Sequence, residues 1–143
     1  MIGLEEGDIS WELVLASGSP RRRDLLREAG LSFQINSPDV EELEPGAEPP
    51  RQLCLSNAEL KANAVARQDP FSTIIAADTI VTLGGQVFGK PVDLEEAAGN
   101  LRILRGRVHE VMTGVAIYHD AAMSKFVGTS YVKFRNFSDE VIE

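Results

Sequence analysis

Cysteine is nearly absent: the 143 residues carry one, Cys54. A single thiol closes no internal disulfide, so the fold must hold without cross-links, and the cytoplasm is the expected compartment. Histidine occurs twice, and no Cys/His spacing of the zinc-binding kind is present. No apolar run approaches the ~20 residues that span a bilayer. The acidic start MIGLEEGDIS has neither the basic nor the apolar region of a secretory leader. Cations are the minority sign, 14 Lys and Arg against 22 Asp and Glu, for a net charge of −8. That balance argues against general binding to nucleic acid or anionic membranes. The Walker A lysine loop, the dinucleotide glycine fingerprint and the serine-nucleophile elbow are all missing. Apolar types at 43% and charged types at 25% exclude disorder by composition. The length fits one domain, which we place over residues 1–143 with 1–11 as an N-terminal extension.

What is present alternates between strand-like and helix-like patterns. WELVLA (11–16) reads as a short buried strand, followed by a turn at Ser17-Gly18. A helix then starts at N-cap Ser19 and Pro20 and stops at Gly30. Phe33–Ile35 reads as a strand, and the proline-rich Ser37–Pro50 as a long loop. Arg51–Gln68 has helical spacing, with Leu53, Leu60 and Ala64 on one side, flanked by Cys54, Ala58 and Val65. Thr73–Leu83 is β-like, and Gly84-Gly85 reads as a hairpin turn into Gln86–Phe88. Asp93 and Glu96 open a further helix, with a stripe of Leu94, Ala97, Ala98, Leu101 and Leu104 and a stop at Gly106. Val108–Tyr118 and Ser124–Phe137 are β-rich and pair across a turn at His119–Met123. Ser138, Asp139 and Glu140 resemble the first turn of another helix, so we expect a truncated chain. The order predicts an α/β domain with a mixed sheet.

Three positions sit oddly in this pattern. Arg21, Arg22 and Arg23 crowd the first turn of a helix, where partial positive charge already resides. Either this is a solvated basic turn, or the free N–H groups, the Ser17 and Ser19 hydroxyls and the guanidiniums cradle a phosphate or triphosphate. Lys61 falls within an apolar arc beside Asn57. It either snorkels to water or is aimed into a pocket holding an anion. Asp78 interrupts the β run IIAADTIV. A carboxylate there accepts backbone N–H bonds, or it holds Mg²⁺ or activates water at a polyphosphate. Lys90 on the stiff Gly89-Lys90-Pro91 connector and the acidic pair Glu41 and Glu42 are weaker signals. Arg102, Arg105 and Arg107 suit a helix C-terminus, His109 reads as packed and Cys54 as core.

Several segments together resemble one family. LASGSPRR (15–22), AADTIV (76–81), GKP (89–91) and LRGRVHEVMTGV (104–115) stand in the order seen in Maf proteins, nucleoside-triphosphate pyrophosphatases also called septum formation inhibitors. DVEE (39–42) and ELKANAV (59–65) are also similar to family segments. The resemblance implies a fold like that of inosine-triphosphate pyrophosphatases, a mixed twisted sheet with flanking helices and a cleft between two lobes. It implies hydrolysis of a nucleoside triphosphate to monophosphate and pyrophosphate with Mg²⁺ or Mn²⁺. By resemblance Asp78 matches the family's catalytic acidic residue, the proton acceptor, and Arg22, Lys61 and Lys90 match basic site positions. Arg21 and Thr79 match positions tied to substrate choice, so that with Ser17, Ser19 and Arg22 of the phosphate-cradle reading they make up the expected substrate-binding set. Glu41 matches an acidic position that joins Asp78 at the metal. SPRR with DT resembles the branch acting on dTTP and UTP. Expected partners are the nucleotide and a second copy of the chain. Family members continue into a KAGAYGIQG segment that this sequence does not contain. Two other readings are a non-catalytic nucleotide-binding regulator of cell division and a pyrophosphatase for modified purine nucleotides.

Overall fold

The computed structural model describes residues 12–46, 48–89, 92–136 and 138; the 1–11 extension, Lys90 and the segment expected to open a last helix after Ser138 lie outside them. Six strands form one mixed sheet: β1 (Leu13–Leu15), β2 (Gln34–Ile35), β3 (Thr73–Leu83), β4 (Gln86–Phe88), β5 (Val108–His119) and β6 (Ala122–Lys133). The order is β2-β1-β3-β5-β6, with β4 added on β3. β1 runs parallel to β2 and β3, and the remaining pairs are antiparallel. The expected mixed α/β architecture is therefore present.

Three helices complete it: α1 (Pro20–Glu28), α2 (Pro50–Gln68) and α3 (Leu94–Leu104). Ser19 caps α1 by accepting the Arg22 N–H, and Gly30, at φ 81°, ends it as the Leu31 N–H reaches back to the Leu26 carbonyl. The local rules read from the sequence hold there. At α3 the Asp93 cap also forms, accepting from the Glu96 N–H at 2.8 Å, but Leu94 is 89% exposed and only Leu104 of the expected stripe is buried.

β3 alternates cleanly between two layers. Its even-numbered residues face α2: Ile74 and Ala76 pack with Ala58, Ala62 and Val65 in the buried core. Its odd-numbered residues Ile75 and Ala77 face Leu25 and Leu26 of α1. The buried face of α2 is rotated from the predicted one. Leu53, Cys54, Ala58, Ala62 and Val65 are buried, while Leu60 and Ala64 lie half-buried at its margin. Gly114 explains the rotation. A Cβ there would stand 2.6 Å from the Cys54 carbonyl carbon and oxygen, so the α2 backbone rests directly on β5 at this glycine. Alanines on α2 permit the same close approach further along the helix.

Gly84 and Gly85, at φ 58° and 85°, turn β3 into β4 as predicted. The β5–β6 turn is tighter than expected. β5 extends to His119, β6 begins at Ala122, and Asp120 and Ala121 take φ 50° and 63° without a glycine.

Candidate active site

A break in the sheet creates the site. On one edge of β3, β1 pairs only as far as Ile75 and β4 joins from Val81, while β5 covers the other edge throughout. Ala76 to Ile80 therefore have no strand on that edge among the described residues. Asp78 and Thr79 sit in this gap on opposite faces of the sheet, just beyond the C-terminal end of parallel strand β1, where α/β sheets place their ligands. A cleft of about 540 Å³ opens there, lined by Arg22, Glu42, Leu43, Glu44, Asn57, Lys61, Asp78, Thr79 and Gly89 among others. One wall is α2 with the 36–49 loop, and the other is β3–β4 with the start of α1.

On the α2 side, Asn57 and Lys61 are four residues apart and so share a helix face. Lys61 is 15% exposed at its side chain and does not snorkel outward. Its ammonium lies 3.5 Å from Asp78 Oδ1, 3.2 Å from Glu42 Oε2 and 3.3 Å from the Ala77 carbonyl. Asn57 Nδ2 donates to the other Asp78 oxygen, Oδ2, at 3.4 Å. Burial pushes the Asp78 carboxyl above the ordinary carboxylate range; the Lys61 charge pulls it back, Glu42 raises it, and the Asn57 hydrogen bond lowers it.

On the α1 side, Ser17 and Thr79 orient one guanidinium. Arg22 Nη2 donates to Thr79 Oγ1 at 2.8 Å and Nη1 to Ser17 Oγ at 3.4 Å. Thr79 Oγ1 in turn lies 3.0 Å from Thr113 Oγ1. Ser17 Oγ also accepts the Ser19 N–H at 3.1 Å, which fixes the approach to the cap. The Ser19 hydroxyl is itself spent on the Arg22 N–H.

Of the residues singled out in the sequence, the structure brings Arg22, Lys61, Asp78 and Thr79 to one cleft, with Ser17 behind Arg22. Arg21 is exposed on α1, and neither it nor Glu41 is among the cleft residues. Lys90 falls outside the described residues, although Gly89 beside it lines the cleft. Glu42, Asn57 and Thr113 were not assigned site roles. The four-residue spacing to Lys61 was the one signal for Asn57; nothing in an irregular acidic loop distinguished Glu42 from Glu41.

Among the described residues, no three of His, Cys, Asp and Glu converge as a metal cage. Glu42 and Asp78 do converge on one ammonium, which marks a place where two carboxylates accept a cation. His109 is buried edge-on against Phe134, with ring centres 4.7 Å apart, and Cys54 is buried, as expected of packed residues. A separate hollow of about 600 Å³ gathers Arg105, Arg107, Lys133 and Arg135 among the described residues.

The family model for Maf-like protein matches residues 12–143. The chain is 48% identical over 130 residues to a dTTP/UTP pyrophosphatase of Akkermansia muciniphila, covering 91% of this chain and 69% of that protein. It is 50% identical over 126 residues to a dTTP/UTP pyrophosphatase of Pelotomaculum thermopropionicum, covering 88% and 65%. A solved structure of the Staphylococcus aureus Ham1 protein superposes with a TM-score of 0.62 at 19% identity, over 87% of this chain and 72% of that one, a likeness of fold. The chain thus spans about two thirds of the length of its curated relatives.

Proposed function

The chain belongs to the Maf-like family, and from that premise we propose that it hydrolyses nucleoside triphosphates, dTTP and UTP foremost, to the monophosphate and pyrophosphate. The observation that carries this reading is the meeting of Arg22, Lys61 and Asp78 in one cleft at the sheet break. Two cations held by fixed partners suit a polyphosphate, and a mostly buried carboxylate beside Lys61 suits the management of a water proton.

The roles follow from position. Arg22, fixed by Thr79 and Ser17, grips phosphate oxygens from the α1 side. Lys61 faces it from α2 and offsets charge on the leaving pyrophosphate. Lys90, next to cleft residue Gly89, belongs to the same proposal through the family motif, as do Arg21 and Ser19. Asp78 orients the attacking water at the α-phosphorus and takes its proton; burial makes it a better base than an exposed aspartate.

A divalent ion, Mg²⁺ or Mn²⁺, fits the donor set. Mg²⁺ commonly takes one or two carboxylates and completes its shell with water and substrate phosphates, so a three-residue cage is not required. Asp78 and Glu42 would hold it, in place of the expected pair Asp78 and Glu41. When bound, such an ion supplies charge neutralisation at phosphate oxygens and Lewis acidity toward water. Dimerisation and a cytoplasmic location complete the proposal. Light scattering on the purified chain tests the first, and subcellular fractionation the second. No described helix is long and apolar enough to cross a membrane.

The deciding experiment incubates the purified chain with dTTP, UTP, CTP, 7-methyl-GTP and ITP in Mg²⁺ or Mn²⁺ and assays pyrophosphate. Pyrophosphate from dTTP and UTP is the expected result. Orthophosphate release, or no turnover with any nucleotide, refutes the reading.

A further inference from the structure

Asn57 is 3% exposed, and it spends its amide on two partners from different parts of the chain. Its Oδ1 accepts the Leu43 N–H at 2.8 Å. Its Nδ2 donates to the Leu43 carbonyl and to Asp78 Oδ2, each at 3.4 Å. This pattern fixes which way the amide faces. Turned over, it would set an NH₂ against the Leu43 N–H and an oxygen against a carbonyl and a carboxylate.

The segment Asn57 grips, residues 36–49, contains no helix or strand among its described residues, so its own backbone does not fix where its carboxylates stand. Leu43 is the neighbour of Glu42, and Glu42 reaches the Lys61 ammonium. Lys61 is one helical turn from Asn57 and holds Asp78 Oδ1, while Asn57 holds Oδ2. Each Asp78 oxygen therefore has its own α2 donor, and one of those donors also fastens the loop.

We propose that Asn57 is a positioning residue for the cleft: it clamps the Leu43 backbone so that Glu42 stands beside Lys61, and it orients Asp78 from a second side. The role in turnover rests on the pyrophosphatase reading; the clamp itself does not. A buried asparagine that served only to fill space would be replaced without loss by a leucine of similar size. A clamp would not.

Two variants separate its functions. Asn57→Leu removes acceptor and donors together. Asn57→Asp keeps an oxygen for the shorter bond from the Leu43 N–H and removes the donors to Asp78 and to the Leu43 carbonyl. Amide hydrogen exchange at Leu43 reads the clamp without nucleotide, and steady-state pyrophosphate release reads the alignment of Asp78. In Asn57→Leu, Leu43 exchange should rise roughly threefold to tenfold. Its kcat should fall at least about tenfold with KM little changed, because Arg22 still holds the nucleotide. In Asn57→Asp, Leu43 protection should persist while kcat falls at least as far.

Wild-type exchange at Leu43 in Asn57→Leu overturns the clamp. Wild-type kcat in Asn57→Asp, or a loss expressed only in KM, overturns the positioning of Asp78. If Asn57→Leu does not fold, Asn57→Asp decides, since the proposal requires its exchange protection and its turnover to part. If the wild-type protein itself releases no pyrophosphate, the functional reading fails, and Leu43 exchange still decides the clamp.

Discussion

On the α2 side of β3, Ile74 and Ala76 lie fully buried beneath Ala58 and Ala62. On the α1 side, Ile75 and Ala77 face an apolar hollow of about 230 Å³ that Leu25 and Leu26 do not fill. α2 has seven buried residues and α1 has none, with Leu25 53% exposed. α2 is seated by backbone contact at Gly114, whereas α1 is tied to the sheet by the polar bridge from Arg22 to Thr79. The division matches the proposed work. Proton handling needs Asp78, Asn57 and Lys61 held to tenths of an ångström, and they sit on the tight face. Gripping a flexible triphosphate tolerates adjustment, and Arg22 sits on the loose one.

Substitutions at the two charged centres should split along the same line. Asp78→Asn should lower kcat by roughly 10²–10⁴ with KM nearly unchanged. Arg22→Lys keeps the charge but loses the two-pronged anchor, and should act mainly on KM, by about tenfold. Steady-state kinetics with dTTP checks both. Equal loss of kcat in the two variants would erase the functional contrast between the faces.

Next in size is the seat of α2. In Gly114→Ala the new methyl meets Cys54 backbone, which cannot rotate away as a side-chain tip can. We expect a loss of about 3 kcal/mol by urea denaturation. Gly128, on β6 opposite Thr113, has nothing within 4 Å of an added Cβ, so Gly128→Ala should stay within about 0.5 kcal/mol of wild type.

The unequal packing also separates what the sequence makes legible from what it hides. Punctuation was readable wherever one local residue decides: Ser19 and Pro20 at the start of α1, Gly30 at its end, Gly84-Gly85 in the β3–β4 turn. The rotation of α2 was not, because a glycine some sixty residues away chooses which face sits down and alanines carry little periodic signal. Asp120 and Ala121 adopt left-handed backbone without glycine, so the extent of that turn had no marker. At the site, Asp78 and Lys61 stood out because each breaks an apolar pattern, whereas Thr79 was marked only by the family resemblance. The places of Glu42 and Arg22 in the cleft did not stand out, since distant partners set them, Asn57 through Leu43 and Thr79 with Ser17.

Neighbouring alanines offer a sharper test of the two faces. Ala76→Val adds volume where α2 leaves none and should cost about 1–3 kcal/mol. Ala77→Val extends into the hollow under α1 and should gain about 0.5–1 kcal/mol. If thermal melts give the same sign for both, the two faces do not differ in tightness.

The smallest expected effect is a pH dependence confined to the tight face. Burial is the main reason the Asp78 pKa lies above its ordinary value of 3.8, reinforced by Glu42 and opposed by Lys61 and Asn57. Between the unfolded and folded pKa values the native protein keeps a proton that the unfolded chain has released. Its stability contribution from Asp78 is therefore fully present below the unfolded pKa and lost as pH rises through the folded one. Asp78→Asn removes this slope and Arg22→Lys leaves it in place. The stability of wild type relative to Asp78→Asn should accordingly decline as pH rises above about 4 in urea titrations. A rising difference over that range would mean that the Lys61 and Asn57 contacts outweigh burial, and that Asp78 is held as a low-pKa structural ion and not as a base.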